Sequence, residues 1–195
     1  MIKISASWEG FMALWFILGI VAVLIVWVIG TYNKLVTERK KVQNSWSQID
    51  VQLKRRSDLI PNLVNSVRGY MKHESGTLEK VMEARYKAVN AGSPNQRMEA
   101  EGELTGALGR LFAVMENYPD LKANQNVMAL QTELTQTEDK IAYSRQFYND
   151  ITMKYNTAIE IFPGNIIANI FGFKAFDFFQ IPESEKNAPT VNLEM

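Results

Sequence analysis

The sequence contains no cysteine and a single histidine, His73. The absence of cysteine excludes disulfide bonds, thiolate chemistry and lipid attachment through a cysteine. One histidine offers little material for a transition-metal site. The sequence also lacks a phosphate-binding glycine loop after a strand, a nucleophile elbow and an ordered catalytic triad. We therefore predict that the protein is not an enzyme and holds neither a cofactor nor a metal.

The chain also has no excess of positive or negative residues. The chain has 21 basic and 21 acidic residues, so its formal net charge at pH 7 is zero. A neutral chain has no general electrostatic attraction to nucleic acid, and we predict no nucleic-acid partner.

One long apolar run is present near the start of the chain. Phe11 to Gly30 contains no charged residue, and thirteen of its residues are Leu, Ile, Val or Phe. This length suits a helix that spans a bilayer. A cleaved signal peptide is the alternative, but the run is too long and no small-residue cleavage site follows it. We predict an N-terminal segment at 1–10 and an uncleaved transmembrane helix at 11–31.

The charges that flank this span predict its orientation. Lys3 precedes it, whereas Lys34, Arg39, Lys40 and Lys41 follow it. The positive-inside rule then puts the N-terminus outside and the rest of the chain in the cytoplasm. We expect a single-pass protein of the cell (inner) membrane whose first partner is the lipid bilayer.

A heptad pattern starts directly after the span. Apolar or aromatic residues occupy ten of the twelve seam positions, which are Tyr32, Leu35, Arg39, Val42, Trp46, Ile49, Leu53, Arg56, Ile60, Leu63, Val67 and Tyr70. Such a seam predicts a long helix packed against partner helices. Pro61, followed by Asn62, falls inside it, and because the seam keeps its phase we predict a kink. Two separate helices that meet there are the alternative.

Three further helices complete the predicted fold. The fold class is all-α, with the transmembrane helix continuing into a long antiparallel up-and-down bundle, coiled-coil-like, of two long and two short helices. The bundle covers 32–160, with helices at about 32–72, 76–90, 96–117 and 123–160. The fourth helix has its own heptad seam, which includes Tyr148, Ile151 and Tyr155. A turn or short irregular link at 118–120 and a flexible tail at 182–195 are also predicted.

The segment at 161–181 is rich in phenylalanine and is too short and too charged for a second span. The antiparallel arrangement returns it to the bilayer surface, where its aromatic residues could join those at the end of the span. The predicted membrane-interface residues are Trp27, Tyr32, Phe171, Phe173, Phe176, Phe178 and Phe179.

Helix lengths predict a stalk near the membrane, because two short helices cover only the distal half of two long ones. A two-helix stalk cannot bury wide apolar faces alone. We expect it to associate with further copies, giving a homo-oligomer. The alternative is a closed monomer in which the Phe-rich segment folds back over its own stalk. The predicted interaction residues are Leu35, Arg39, Val42, Trp46, Arg56, Tyr148, Ile151 and Tyr155.

Two of these seam residues are arginines, and a buried arginine needs a carboxylate. For Arg56 the candidate partners on the fourth helix are Glu133, Glu138 and Asp139. A role in fixing the register of the helices is favoured over a recognition or switch role.

Several stretches resemble the bacterial LemA family. They are Tyr32–Val36, Ile49–Arg56, Asp58–Val64 with its Pro61-Asn62, Ala84-Arg85, Tyr155-Asn156, Phe162-Pro163, Asn165 and Phe171–Phe173. The resemblance extends from Tyr32 to about Ile181. It implies a bacterial membrane protein with one N-terminal helix and a long antiparallel bundle, and it implies no enzymatic activity.

Two functions remain open at this point. The first is a membrane-anchored structural or scaffold protein that self-associates through its stalk. The second is a membrane-tethered adaptor or receptor-like module that binds another, unidentified membrane or cytoplasmic protein. An enzyme is disfavoured because the ionisable residues do not converge on one site.

Overall fold

The computed structural model describes residues 5–179 of the 195-residue chain. The predicted tail at 182–195 and the first residues of the predicted segment 1–10 lie outside this range. The all-α fold class is confirmed for the described residues, which form six helices and one short 3-10 turn at Lys72–Glu74. The helices are α1 (Ser5–Arg68), α2 (Ser75–Val89), α3 (Pro94–Met115), α4 (Pro119–Ala123), α5 (Gln125–Glu160) and α6 (Gly164–Phe171).

α1 joins the predicted span and the predicted first bundle helix into one uninterrupted helix. It ends at Arg68, about one turn before the predicted end at residue 72, because Gly69 disfavours helix. The N–H groups of Tyr70 and Met71 both donate to the carbonyl oxygen of Val67 at 3.0 Å and close the last turn. Among the described residues, α1 is the one helix long and apolar enough to cross a membrane, and none of its apolar window is buried.

The helix also continues through Pro61, so the alternative of two helices meeting there is wrong. Ile60 and Leu63 on either side of the proline are completely buried. Their packing holds the helix together where the proline removes one backbone hydrogen bond. A kink at Pro61 and Asn62 stays a prediction.

α4 corrects the predicted turn at 118–120. Pro119 begins this five-residue helix, as proline often does because its missing N–H is not needed there. Asn124 then separates α4 from α5, and its Oδ1 accepts hydrogen bonds from the N–H groups of Asn126 and Val127 at 3.0 and 3.3 Å. This cap explains why α5 begins at Gln125 and not at residue 123.

Packing divides the described chain into two units. The anchor unit contains the residues up to Gln43 together with Ile151–Phe176, and the bundle unit contains Asn44–Asp150 together with the residues from Asp177. α1 and α5 each contribute one part to each unit. Each unit has its own apolar core.

The core of the bundle unit combines residues from all of its helices. Its buried members are Ile60, Leu63, Val64, Val67, Met71, Leu78, Val81, Ala84, Ala88, Ala100, Leu104, Leu108, Leu111, Met115, Leu121, Val127 and Leu134. Ile60, Leu63 and Val67 are seam residues of the first heptad pattern, and burial of such apolar positions drives the helices together.

The core of the anchor unit is smaller and involves α6. Leu35 of α1 is buried with Ile167 and Ala168 of α6, and Val28 and Tyr32 pack against them. α6 ends at Gly172, whose φ of 69° lies in the left-handed region, and the N–H of Phe173 donates to the carbonyl oxygen of Ala168 at 2.9 Å. This glycine cap turns the chain out of the helix into an extended segment.

Candidate functional site

The most specific polar geometry lies where residues 173–179, which we call the return segment, meet α5. The segment has no regular secondary structure, so its backbone groups need partners from elsewhere. Side chains of α5 supply them in both units. No group of three or more His, Cys, Asp or Glu residues within 5–179 is arranged to hold a metal.

In the anchor unit, the side-chain amide of Asn156 pairs with the backbone of the return segment, as the backbone of a neighbouring β-strand would. Its Nδ2 donates to the carbonyl oxygen of Phe176 at 2.9 Å, and the N–H of Phe176 donates to its Oδ1 at 3.0 Å. The adjacent Tyr155 donates its hydroxyl to the carbonyl oxygen of Lys174 at 3.0 Å. These three bonds satisfy consecutive parts of a backbone that is outside any helix.

Aromatic contacts reinforce this arrangement. The rings of Tyr155 and Phe176 lie 5.4 Å apart, and Tyr32 of α1 contacts Phe173 edge-on at 5.7 Å. The guanidinium of Arg39 lies over the ring of Phe173 at 5.0 Å, a cation–π distance. Burial raises the pKa of the Tyr155 hydroxyl, and the nearby charge of Arg39 partly offsets this.

In the bundle unit, Tyr148 and Asn149 make the same kinds of contact. The Tyr148 hydroxyl donates to the carbonyl oxygen of Asp177 at 3.0 Å. Asn149 donates through Nδ2 to the carbonyl oxygen of Phe179 at 3.0 Å and accepts from the N–H of Phe179 at 2.7 Å. A Tyr-Asn pair thus occurs twice in α5, seven residues apart, with the same function each time.

The Phe179 ring fills a pocket of the bundle unit. It is 3% exposed and lies 6.1 Å from Trp46, which itself contacts Tyr148 at 5.5 Å. The guanidinium of Arg145 lies over the Phe179 ring at 4.5 Å. The end of the described return segment is therefore held by a buried aromatic anchor.

Replacing Asn156 with alanine is expected to lower the free energy of unfolding by about 1–2 kcal/mol, because the N–H and C=O of Phe176 lose their partners. The measurement is guanidinium unfolding of the full chain in detergent, followed by far-ultraviolet circular dichroism. Asn33→Ala is the matched control, since Asn33 is exposed in the same unit, and its expected effect is below about 0.5 kcal/mol. Equal losses in both variants would contradict the role of Asn156.

The predicted interaction residues are covered by their own chain. Leu35, Val42, Tyr148 and Tyr155 are buried, and Arg39, Trp46 and Ile151 are half-buried. The return segment folds back against its own chain, and self-association of the stalk stays a prediction. The seam residues named above thus pack within each unit.

The predicted membrane-interface residues divide into two groups. Phe179 is buried, and Phe173 and Phe176 are half-buried against their own unit; their place at the membrane interface stays a prediction. Their rings cover the seam side chains described above. Trp27, Phe171 and Phe178 are exposed and Tyr32 is half-buried, so membrane contact at those four stays a prediction.

Arg56 is completely buried and bonded on several sides. It donates to the carboxylates of Glu101 and Glu138, and at 2.8 Å to the hydroxyl of Thr105. Of the three acidic residues suggested by the sequence, Glu138 is thus a partner. Glu133 instead pairs with Arg55 at 2.7 Å.

Glu101 was missed because partners for Arg56 were sought only on the fourth helix. It is nevertheless 2% exposed and lies on the same face as Leu104 and Leu108. The signal that could have found it is an acidic residue three positions before Leu104 in the apolar stripe of α3. The Tyr-Asn repeat was a second signal, since both pairs follow the heptad of α5.

Arg85 is another polar residue for which the sequence pattern predicted no structural role. Pro61 has no N–H, so the carbonyl oxygen of Ser57 one turn earlier lacks its usual helical donor. Arg85 of α2 donates its Nε to this oxygen at 2.7 Å. Ser57 is buried, so water does not replace this bond.

Comparison with known proteins identifies the family of the chain. The sequence model of the LemA family matches residues 45–193. The chain belongs to the LemA family. This confirms the resemblance found in the sequence, and the match continues beyond Ile181 to residue 193.

Curated relatives of this LemA-family chain occur in several bacteria. Protein LemA of Metamycoplasma hominis is 31% identical over 177 residues, which cover 90% of this chain and 80% of that protein. Magnetosome protein MamQ 2 of Paramagnetospirillum magneticum is 30% identical over 190 residues, covering 84% and 70%. Magnetosome protein MamQ of Magnetospirillum gryphiswaldense is 29% identical, covering 84% and 69%. None of these names is that of an enzyme.

Proposed function

We propose that this protein is a non-enzymatic, membrane-tethered adaptor. α1 anchors it in the bacterial inner membrane, and the polar surface of its helices binds another membrane or cytoplasmic protein. The observation that carries the proposal is the burial of the seam residues Leu35, Val42, Tyr148 and Tyr155 within their own chain. Because these side chains are already buried, a partner protein would contact the polar surface of the stalk.

The outer surface of the stalk supports this choice over a self-associating scaffold. In the anchor unit, the exposed positions of α1 beyond the span include Lys34, Lys40 and Lys41, and those of α5 include Lys154 and Glu160. Protein interfaces between permanent subunits are usually apolar, whereas the surface that α1 and α5 form in this unit carries these charges. An adaptor with transient partners fits such a surface better.

The polar groups of the interior support a non-catalytic role. Tyr148 and Tyr155 donate their hydroxyls to backbone carbonyls, and Arg56 is bonded to Glu101 and Glu138. Each of these groups is bonded to another group of the protein and stabilises the fold. A catalytic group would instead face a substrate.

The basic residues after the span support a cytoplasmic location of the bundle. Lys34, Arg39, Lys40 and Lys41 follow the apolar run, whereas Lys3 alone precedes it. Short flanking segments with more Lys and Arg remain in the cytoplasm. The proposed topology is therefore an external N-terminus and an internal bundle.

Cross-linking distinguishes the adaptor from a stalk-mediated scaffold. Because the chain lacks cysteine, the single variants Lys40→Cys and Lys154→Cys each carry one reactive thiol on the outer surface of the stalk. We expect no homodimer when membranes containing either variant are treated with a bismaleimide. Val42→Cys is the control for unspecific reaction, because residue 42 is buried. Light scattering of the detergent-extracted chain should give one copy of 22.2 kDa after correction for detergent.

A homodimer at Lys40→Cys or Lys154→Cys, together with a discrete multimer in light scattering, would overturn the adaptor proposal in favour of the scaffold. The positive test places a photo-cross-linking amino acid at Tyr143, an exposed position of α5. An adaptor should give a heterologous adduct of one defined mass in native membranes.

A further inference from the structure

The outer face of α6 and the turn before it is strongly apolar. Residues 161–173 contain no charged side chain. Ile161, Phe162, Ile166 and Ile170 are 57%, 76%, 46% and 68% exposed. Large apolar side chains grouped in this way on a surface usually mark a contact with a partner or a membrane.

The opposite face of α6 fixes its position on the anchor unit. Ile167 and Ala168 are buried against Val28, Tyr32 and Leu35 of α1. Gly164 permits α6 to begin close to the end of α5, because a side chain at this position would overlap the carbonyl oxygen of Ala158. α6 is therefore docked at a defined height on α1.

That height is the end of the membrane span. Val28 belongs to the uncharged run that ends at Gly30, and Leu35 follows it by five residues. Val28 and Leu35 are separated by about 10 Å along the helix. The polar interface of a bilayer is about 5–7 Å deep on each side. α6 thus packs on the part of α1 that passes through this interface.

We propose that the outer face of α6 is a second membrane contact, with Ile161, Phe162, Ile166 and Ile170 inserted at the boundary between lipid headgroups and acyl chains. Asn165 and Asn169 form a polar stripe beside Ile166 and Ile170. A helix with an apolar stripe beside a polar one lies in the plane of this boundary.

A second copy of the chain fits this face less well than lipid does. Apart from its own apolar face at 161–170, the residues that a second copy's anchor unit would present outside the span are largely polar, among them Lys34, Lys40, Lys154 and Glu160. Lipid is also continuous with the surface of the span itself. The inference rests on membrane anchoring by α1 and is independent of the adaptor role.

Fluorescence quenching tests the contact in the full chain, reconstituted in vesicles of phosphatidylethanolamine and phosphatidylglycerol. The variants Ile166→Cys and Ile170→Cys receive a polarity-sensitive dye, and each is compared with Lys154→Cys on the polar surface and Val21→Cys in the span. All but Val21 lie outside the span, and all four positions are exposed in the protein, so the dye does not enter the core.

At residues 166 and 170 we expect strong quenching by lipids that carry a nitroxide near the top of the acyl chain, and several-fold weaker quenching by aqueous iodide than at residue 154. Quenching by iodide at the level seen for residue 154 would show that the face is in water, and it would overturn the proposal. Protection from both quenchers, with a bismaleimide homodimer at Ile170→Cys, would show a second copy instead and would also overturn it.

Discussion

Replacing Arg56 with methionine is expected to lower the free energy of unfolding of the bundle unit by about 3–5 kcal/mol. Arg56 is fully buried and bonded to Glu101 and Glu138. Methionine fills a similar volume, but it leaves the Glu101 carboxylate, which is 2% exposed, without its main cation. Arg97 lies 3.8 Å from Glu101 and also faces Asp50 at 3.4 Å, so it compensates only weakly.

The matched control is Arg55→Met, one residue away on the same helix. Arg55 pairs with Glu133 at 2.7 Å, but both side chains are partly exposed, so the expected loss is about 0–1 kcal/mol. Guanidinium unfolding followed by far-ultraviolet circular dichroism measures both variants. Similar losses at the two arginines would contradict the special role of the buried one.

A second substitution tests the cause of the loss. Adding Glu101→Met to Arg56→Met removes the uncompensated carboxylate and should restore part of the lost stability, since apolar residues often replace a buried ion pair well. If the double variant were less stable than Arg56→Met alone, the loss would come from packing and not from the buried charge.

Replacing Arg85 with methionine is expected to cost about 1–3 kcal/mol, because the buried carbonyl oxygen of Ser57 loses its donor. The same substitution should cost less than about 1 kcal/mol in a Pro61→Ala background. Alanine at residue 61 restores an N–H that can donate to Ser57 along the helix. The donor at Arg85 is then no longer essential.

This pair of measurements forms a double-mutant cycle between α1 and α2. Arg110→Met is the control, because Arg110 is an exposed arginine of α3; its effect should be small and the same in both backgrounds. Equal costs of Arg85→Met with proline and with alanine at residue 61 would refute the proposed coupling. A coupled result would explain how a proline is accommodated inside a 64-residue helix.

The heptad pattern predicted the long helices well, because periodicity depends only on residues close together in sequence. α1 beyond the span and α5 have the expected seams, and α2 and α3 lie within a few residues of their predicted bounds. α4 was missed because five residues are too few to show a period. α6 was missed because its eight residues lie in the Phe-rich segment at 161–181, which was interpreted from its composition and not from a helical period.

The partners of the seam were harder to predict. A seam at residues 35 and 42 shows that something must cover it, but a second copy and the chain's own return segment would do so equally well. In the structure, α6 packs on Leu35, and the side-chain amides of Asn149 and Asn156 pair with the backbone of the return segment. Such amide–backbone pairing has no strong sequence signature beyond the repeated Tyr-Asn.

The sequence by itself determined that this is a helical protein with one apolar span and long heptad seams, and it indicated the family. Length, charge and period are local properties, and they are sufficient for those conclusions. Only the tertiary structure decided which carboxylates meet Arg56, which donor serves Ser57, and what covers Tyr148 and Tyr155. These contacts join residues from 19 to 82 positions apart, and packing of whole helices selects among the partners that charge and polarity allow.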